Sequence, residues 1–452
     1  MNKNEINKQV EGFREEYSKS GKPVRINFRE LVSELRNIDR FSHLIHSYPA
    51  KLLCNIPYFF LQTEYFCPKD GVVLDPFCGT GTVMLEANVS GRSAMGADAN
   101  PLAILIAQVK TTYIPSEVLG KTLTTIILSA RRMAIISPIE EISSIEQWFS
   151  ASTITQLSKI EKAINKIHDA KIRRFFEVCF SNLIKKVSFA DPSISVPVRL
   201  NPERFYKNQE RKRLAEFKLK ALECVDVYEK FEDICNLNIR RIETLRNIYS
   251  SGVKTELISN DARRLTSTYS GDTLLPDASV DMILTSPPYA GAQKYIRSSK
   301  LNLFWLGMKR SEEIRALNNK NIGREDYHKS EIIKEIHTGI LAADKVLESL
   351  YLEGKRERAY IVGNYLNEMK MALDESVRVL KKGGYMVIVI GNNTVCNRPF
   401  ETQDYLSTYL ESKGMHLEFK LIDDIKSYGL MTKRNKTAST ISCEWILVLK
   451  KY

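Results

Sequence analysis

Ser286-Pro287-Pro288-Tyr289 closes the apolar run Val280-Asp281-Met282-Ile283-Leu284-Thr285. Proline gives no N–H to a sheet ladder, so a strand that ends in two prolines must turn out with its carbonyls unpaired. A hydroxyl, free carbonyl acceptors and an aromatic face then stand together. Those groups would hold an extruded nucleobase, the acceptors meeting its exocyclic amine and the ring stacking on it.

Some two hundred residues earlier, Gly71-Val72-Val73-Leu74-Asp75-Pro76-Phe77-Cys78-Gly79-Thr80-Gly81-Thr82 leads into Val83-Met84-Leu85-Glu86-Ala87. The pattern predicts a short buried strand, a glycine turn and a helix start, which brings backbone N–H groups close to a ligand. A dinucleotide fingerprint would place a third glycine where Met84 stands, so a nicotinamide or flavin pyrophosphate is disfavoured. Asp75 closes the strand and suits a cationic ligand, such as a sulfonium carrying a free amino group. The next predicted strand, Ser93-Ala94-Met95-Gly96-Ala97-Asp98, ends in a second acid where open α/β sheets hold a ribose.

These motifs, with Gly91-Arg92, Asn100-Pro101-Leu102-Ala103 and His43-Leu44-Ile45-His46-Ser47-Tyr48-Pro49-Ala50-Lys51, resemble those of the amino-group DNA methyltransferases. The serine-headed turn is most similar to the cytosine-N4 branch. The resemblance covers roughly residues 40–114 and 251–452. It implies an α/β fold with a Rossmann-like class I methyltransferase sheet of seven mostly parallel strands, and S-adenosylmethionine as methyl donor. It also implies double-stranded DNA as partner, and a place in restriction–modification or a related defence system with a cognate restriction endonuclease. On the cofactor side it assigns Asp75, Gly79 and Gly81 to the methionine moiety, Phe77 as its cover and Thr82 as a donor. Asp98 falls to the ribose, Asn100 and Pro101 to the cofactor wall and Asp261 to the adenine amine, with Tyr48 and Lys51 over the methionine end. Ser286 Oγ and the Pro287 carbonyl become the amine acceptors, with Tyr289 stacked on the base and Pro288 stiffening the turn. The adenine-N6 version shares every motif except that its turn more often begins with Asp or Asn. An RNA guanine methyltransferase and a nonenzymatic DNA-binding protein are the more distant readings.

The elements that must position these motifs divide the chain as follows. Residues 1–39 read as a helical arm and 40–114 as the cofactor-binding half. Residues 115–250 alternate apolar and charged positions at helical spacing, as in Phe175-Phe176-Glu177-Val178-Cys179, and predict a helical insertion broken by a proline-rich loop at 190–198. The catalytic half spans 251–306, with a strand over 254–261 ending in Asp261. A helical segment occupies 307–375 and the closing strands 376–452. Leu380-Lys381-Lys382-Gly383-Gly384 reads as a glycine-capped helix end before a strand over 385–391. Segments 415–425 and 442–450 predict an antiparallel pair at the sheet edge.

The formal charge of +12 in 452 residues fits a polyanionic partner. Between 171 and 220, thirteen Lys and Arg face five acids, which places two-thirds of the excess in one stretch. Lys185, Lys186, Arg211, Lys212 and Arg213 are therefore the candidate DNA contacts, and the insertion is the first candidate for target recognition. Residues 309–358 are the second. Eight cysteines without a C-x-x-C pair predict reduced thiols, buried at Cys54, Cys179, Cys235 and Cys443, in a cytoplasmic protein. None follows a proline, as the nucleophile of a ring-carbon cytosine methyltransferase would. The histidine spacing predicts no metal, and no apolar stretch approaches the roughly 18 residues of a membrane span.

Overall fold

Short runs that lead into acids pack side by side toward one end of a single sheet. A computed structural model describes residues 3–35, 40–49, 51–134, 145–249, 252–290, 295–309, 312–325, 327–332, 335–425 and 441–452. Ala50 and parts of 309–358 lie outside them. The strands are β1 (Val24–Ile26), β2 (Val72–Asp75), β3 (Ser93–Gly96), β4 (Thr255–Leu257), β5 (Val280–Thr285), β6 (Leu380–Ile390), β7 (Asn393–Val395), β8 (Arg398–Phe400), β9 (Met415–Asp424) and β10 (Cys443–Lys451). Eight form one sheet in the order β1-β9-β10-β6-β5-β2-β3-β4, and β7 pairs with β8 in a separate hairpin.

Within the main sheet β10 runs antiparallel to both neighbours, and every other pairing is parallel. To the seven expected strands the N-terminal arm adds an eighth, because β1 pairs with β9 and covers what would otherwise be the edge. The arm therefore holds both a helix, Lys3–Ser20, and a strand. The glycine-capped helix end expected at 380–384 is instead the start of β6. Helix Arg356–Val379 passes directly into Leu380, which pairs with Val280, and a register shift between Val280 and Met282 absorbs the Lys-Lys-Gly-Gly stretch.

Alternation along the strands feeds two cores. Val387 and Val389 face helices Asn55–Leu61 and Thr82–Val89, while Met386, Ile388 and Ile390 face helices Leu341–Leu352 and Arg356–Val379. Arg92 is buried and donates to the carbonyls of Leu61, Thr63 and Cys67, so the chain leading into β2 is fastened to β3. Cys179 and Cys235 are buried as expected, whereas Cys54 and Cys443 are only half-buried.

The insertion is helical in the described residues: Ser116–Arg132, Ala151–Asn165, Ala170–Lys186, Gln209–Glu223 and Val227–Glu243, with the short Arg246–Tyr249. Its apolar faces form a third core shared with helices Pro101–Lys110 and Tyr295–Trp305. Trp305 is fully buried there, edge-on to Phe149 at 5.7 Å and Phe180 at 6.0 Å. Trp305→Ala should destabilise the whole protein by about 3–5 kcal/mol through the cavity it leaves. Denaturant unfolding followed by circular dichroism checks this. A loss confined to a separate early transition would mean that the insertion folds independently of the sheet.

Candidate functional site

The sheet's register places the ends of β2, β3 and β5 next to one another, with Asp75 opposite Gly96 and Leu74 opposite Ile283. Both motif turns leave from that edge, one from β2 and one from its neighbour β5, where the strand order reverses and open α/β sheets bind ligands. A cleft of roughly 710 Å³, counting its open mouth, lies above them.

The turn after β2 is shaped by glycines in the left-handed region, Gly79 at φ 48° and Gly81 at φ 74°. A Cβ at Gly81 would stand 3.0 Å from the Ala107 Cβ, so the turn also needs glycine for its close approach to helix Pro101–Lys110. Asp75 Oδ1 accepts from the Phe77 N–H at 3.1 Å and from Thr285 Oγ1 at 2.6 Å. Asp98 accepts from the Gly79 N–H at 3.0 Å and the Asn100 N–H at 2.7 Å. Asn100 caps its helix by accepting from the Leu102 N–H, and its Nδ2 donates to the Tyr48 hydroxyl at 2.8 Å. Under the turn lies Lys110, fully buried and held well below the ordinary lysine pKa by burial, with Nζ donating to Thr80 Oγ1 at 3.2 Å.

Burial raises the Asp75 carboxyl to about 7 and the Asp98 carboxyl to about 6, against the pull of their N–H and hydroxyl donors. Among the described residues no cation is paired with either. A ligand carrying a sulfonium and an ammonium charge would supply what these acids lack, and the apolar faces of Phe77 and Pro76 line the same cleft. The residues present therefore fit S-adenosylmethionine.

Of the residues singled out by sequence, Tyr48, Phe77, Gly79, Asp98, Asn100, Asp261, Ser286 and Pro288 line the cleft together. Asp75, Gly81 and Thr82 are buried beneath it, and Pro101 begins the helix behind. Lys51 turns away, donating to the carbonyls of His43 and His46. Asp261 is forked by the Arg263 guanidinium at 2.9 Å on each oxygen. Pro287 is buried behind Ser286. Tyr289 does not line the cleft; its hydroxyl donates to Glu444 Oε1 on β10 at 2.7 Å. Gly391 at the end of β6 leaves room for that ring, since a Cβ there would stand 3.1 Å from Tyr289 Cε2.

The cleft's far wall, Tyr295, Lys320, Asn321 and Ile322, went unassigned by motif. Lys320 and Asn321 fall in the Asn318-Asn319-Lys320-Asn321 run of the second recognition candidate, a polar stretch with no strand or helix signal to direct it here. Among the basic candidates, Lys185 donates to the Ile194 carbonyl at 2.9 Å and Lys212 pairs with Glu203 at 2.6 Å. Lys186, Arg211 and Arg213 are exposed. Among the described residues no group of three or more His, Cys, Asp or Glu is placed to hold a metal, and no helix is long and apolar enough to cross a membrane.

A family model described as DNA methylase, covering N6 and N4 methyltransferases, matches residues 48–109 and 280–452, which contain both motif turns. The Type II methyltransferase M.MvaI of Kocuria varians is 25% identical over 96% of this chain and 96% of its own length. The Type II methyltransferase M.BsoBI of Geobacillus stearothermophilus is 23% identical over 69% of this chain and 61% of its own. Among solved structures, the rRNA methyltransferase aviRa of Streptomyces viridochromogenes aligns over 94% of this chain and 96% of that one, at 10% identity and a TM-score of 0.32. The chain belongs to the DNA methylase family, the S-adenosylmethionine-dependent enzymes that methylate amino groups of DNA bases.

Proposed function

We propose that this DNA methyltransferase is a site-specific cytosine-N4 enzyme acting in the cytoplasm as the modification half of a restriction–modification pair. The observation that carries the reading is Ser286, a serine heading the S-P-P-Y turn and lining the same cleft as Asp98. The names of M.MvaI and M.BsoBI, both Type II methyltransferases, support the pairing with an endonuclease.

An exocyclic amine is a weak nucleophile because its lone pair is delocalised into the ring. S-adenosylmethionine supplies a strongly electrophilic methyl when bound. The chain's task is to fix the amine in line and draw its hydrogens toward acceptors. Ser286 Oγ and the Pro287 carbonyl are the acceptors, and Pro288 holds the turn. Tyr289, outside the cleft with its hydroxyl anchored on Glu444, backs Ser286 rather than stacking on a base held in the cleft. Asp75, Phe77, Gly79, Gly81 and Thr82 serve the methionine end of the cofactor. Asp98, Asn100 and Pro101 serve the ribose side and Asp261 the adenine, with Tyr48 bracing Asn100. Lys51 belongs to the frame.

The duplex is read by the insertion. Helix Gln209–Glu223 stands nearly free, with only Ala215 and Leu222 buried, and exposes Leu214 and Phe217 among Arg211, Arg213 and Lys220. Cations among apolar side chains on an exposed helix suit contact with phosphates and base edges.

Incubation with methyl-labelled S-adenosylmethionine and plasmid DNA, followed by nucleoside analysis, should give N4-methylcytosine; N6-methyladenine would transfer the same site to adenine. Ser286→Ala should cut turnover about a hundredfold while cofactor affinity barely moves. Equal loss of both would make the turn structural.

Cofactor affinity should depend on pH with a definite sign. A cationic ligand selects the ionised carboxylates, so below about 7 for Asp75 and about 6 for Asp98 binding must expel protons. Affinity measured by calorimetry should rise about tenfold or more between pH 5.5 and 7.5, and the rise should flatten in Asp75→Asn. A wild-type profile that stays level would remove these acids from the cofactor site.

Replacing Arg211 and Arg213 with alanine should weaken binding to all sequences alike and reduce the slope of log affinity against log salt by up to about two. An unchanged slope together with unchanged sequence preference would shift recognition to the 309–358 segment.

A further inference from the structure

Methylating an amine leaves a proton to dispose of. The new C–N bond forms as the methyl leaves sulfur with its bonding pair left behind, and the substituted nitrogen must then shed one hydrogen as H⁺. Ser286 lines the cleft, and three residues along the same turn the Tyr289 hydroxyl lies near enough for Ser286 to draw its pKa down. The Tyr289 hydroxyl in turn donates to Glu444 Oε1 at 2.7 Å. Three oxygens thus form a chain from the cleft to a carboxylate on the antiparallel strand β10, outside both motif turns.

We propose that Glu444 is the terminal proton acceptor of methyl transfer, reached through Ser286 and Tyr289. The amine proton passes to Ser286 Oγ, the Ser286 proton to the Tyr289 oxygen and the Tyr289 proton to Glu444, which releases it to solvent after turnover. Both hydroxyls end as they began, and the carboxylate takes up the one proton the reaction produces. The proposal rests on Ser286 facing the amine, as assigned above, and holds for cytosine and adenine alike.

The surroundings of Glu444 suit the role. Burial raises its pKa; Asp423, its cross-strand neighbour on β9, raises it further, while the Tyr289 hydrogen bond and Arg29 oppose this. A carboxylate raised in this way is a better base than an exposed one and still discharges to water. Tyr289, by contrast, is held well above the ordinary phenol pKa by burial and by Glu444, so it relays a proton without retaining a charge.

Glu444→Gln keeps the shape and can still accept from Tyr289, so a purely structural carboxylate would tolerate it. The relay predicts that Glu444→Gln and Tyr289→Phe each lower the single-turnover rate about a hundredfold at neutral pH, with the KM for the methyl donor within about twofold. The double variant should be no slower than either single one, because both break the same chain. At saturating methyl donor throughout, where Asp75 and Asp98 no longer set the profile, the acid limb of the single-turnover rate should vanish in Glu444→Gln and persist in Asp423→Asn. Infrared difference titration of the protein without cofactor supplies a readout free of activity: a protonated-carboxyl band should titrate in the wild type, disappear in Glu444→Gln and shift in Tyr289→Phe. A wild-type rate and pH profile in Glu444→Gln, or a carboxyl band indifferent to Tyr289→Phe, overturns the relay. Fast relay variants beside a slow Ser286→Ala would leave the site reading intact. All three variants at wild-type rate would remove both.

Discussion

The hydrogen bond from Thr285 Oγ1 to Asp75 Oδ1, 2.6 Å long and buried, couples the two strands whose ends carry the chemistry. Thr285 is the last residue before the S-P-P-Y turn, and Asp75 is the last before the glycine turn. An unpaired carboxylate at this depth would be costly, and the Thr285 hydroxyl and the Phe77 N–H supply its partners. The bond therefore stabilises β2 against β5 and also fixes the separation of the two turns proposed to hold the methyl donor and the amine acceptors. Positioning of that kind matters more here than acid strength, since the methyl group is already reactive and a displacement of about 1 Å can cost a hundredfold in rate.

The insertion supports the same geometry from the other side. His46 bonds Ser181 at 3.1 Å, Ser47 Oγ donates to Asn182 at 3.0 Å, and Asn238 and Arg241 donate to the carbonyls of Ile45 and Leu44. These bonds fasten the segment that delivers Tyr48 to Asn100. Asn302, on the helix following the catalytic turn, donates to the Ser181 carbonyl and hydroxyl. Helix Ala170–Lys186 is thus hydrogen-bonded both to the segment that carries Tyr48 and to the helix that begins with Tyr295, two residues that line the cleft.

Sequence reading succeeded where chemistry is local. An apolar run ending in an acid, or in two prolines, reports strand, end and turn together, and β2, β3 and β5 carry those signatures. It failed where long-range pairing decides. Val24-Arg25-Ile26 is too short to signal a strand and becomes one only because β9 offers an unpaired edge. Gly383-Gly384 looks like a helix cap, yet pairing with β5 draws Leu380 straight into the sheet. The cleft wall at Lys320, Asn321 and Ile322 follows from Arg263, which forks Asp261, donates to the Lys320 carbonyl at 3.1 Å and pairs with Glu368 at 3.0 Å. No local pattern encodes a bridge among residues so far apart in the chain.

Glu444 illustrates the same limit at the reacting end. In sequence it is one acid in Cys443-Glu444-Trp445-Ile446, an edge-like strand start. Strand β10 lies between β9 and β6, antiparallel to both, so its first residues reach the sheet edge where the parallel strands end. Trp445 pairs with Ile390, one residue before the Gly391 that makes space for the Tyr289 ring. Antiparallel insertion of a single strand into a parallel sheet thus carries an N-terminal residue to the functional edge, which the parallel strands reach only with their C-terminal ends. The fold thereby gains a carboxylate beside the S-P-P-Y turn without placing it in either motif.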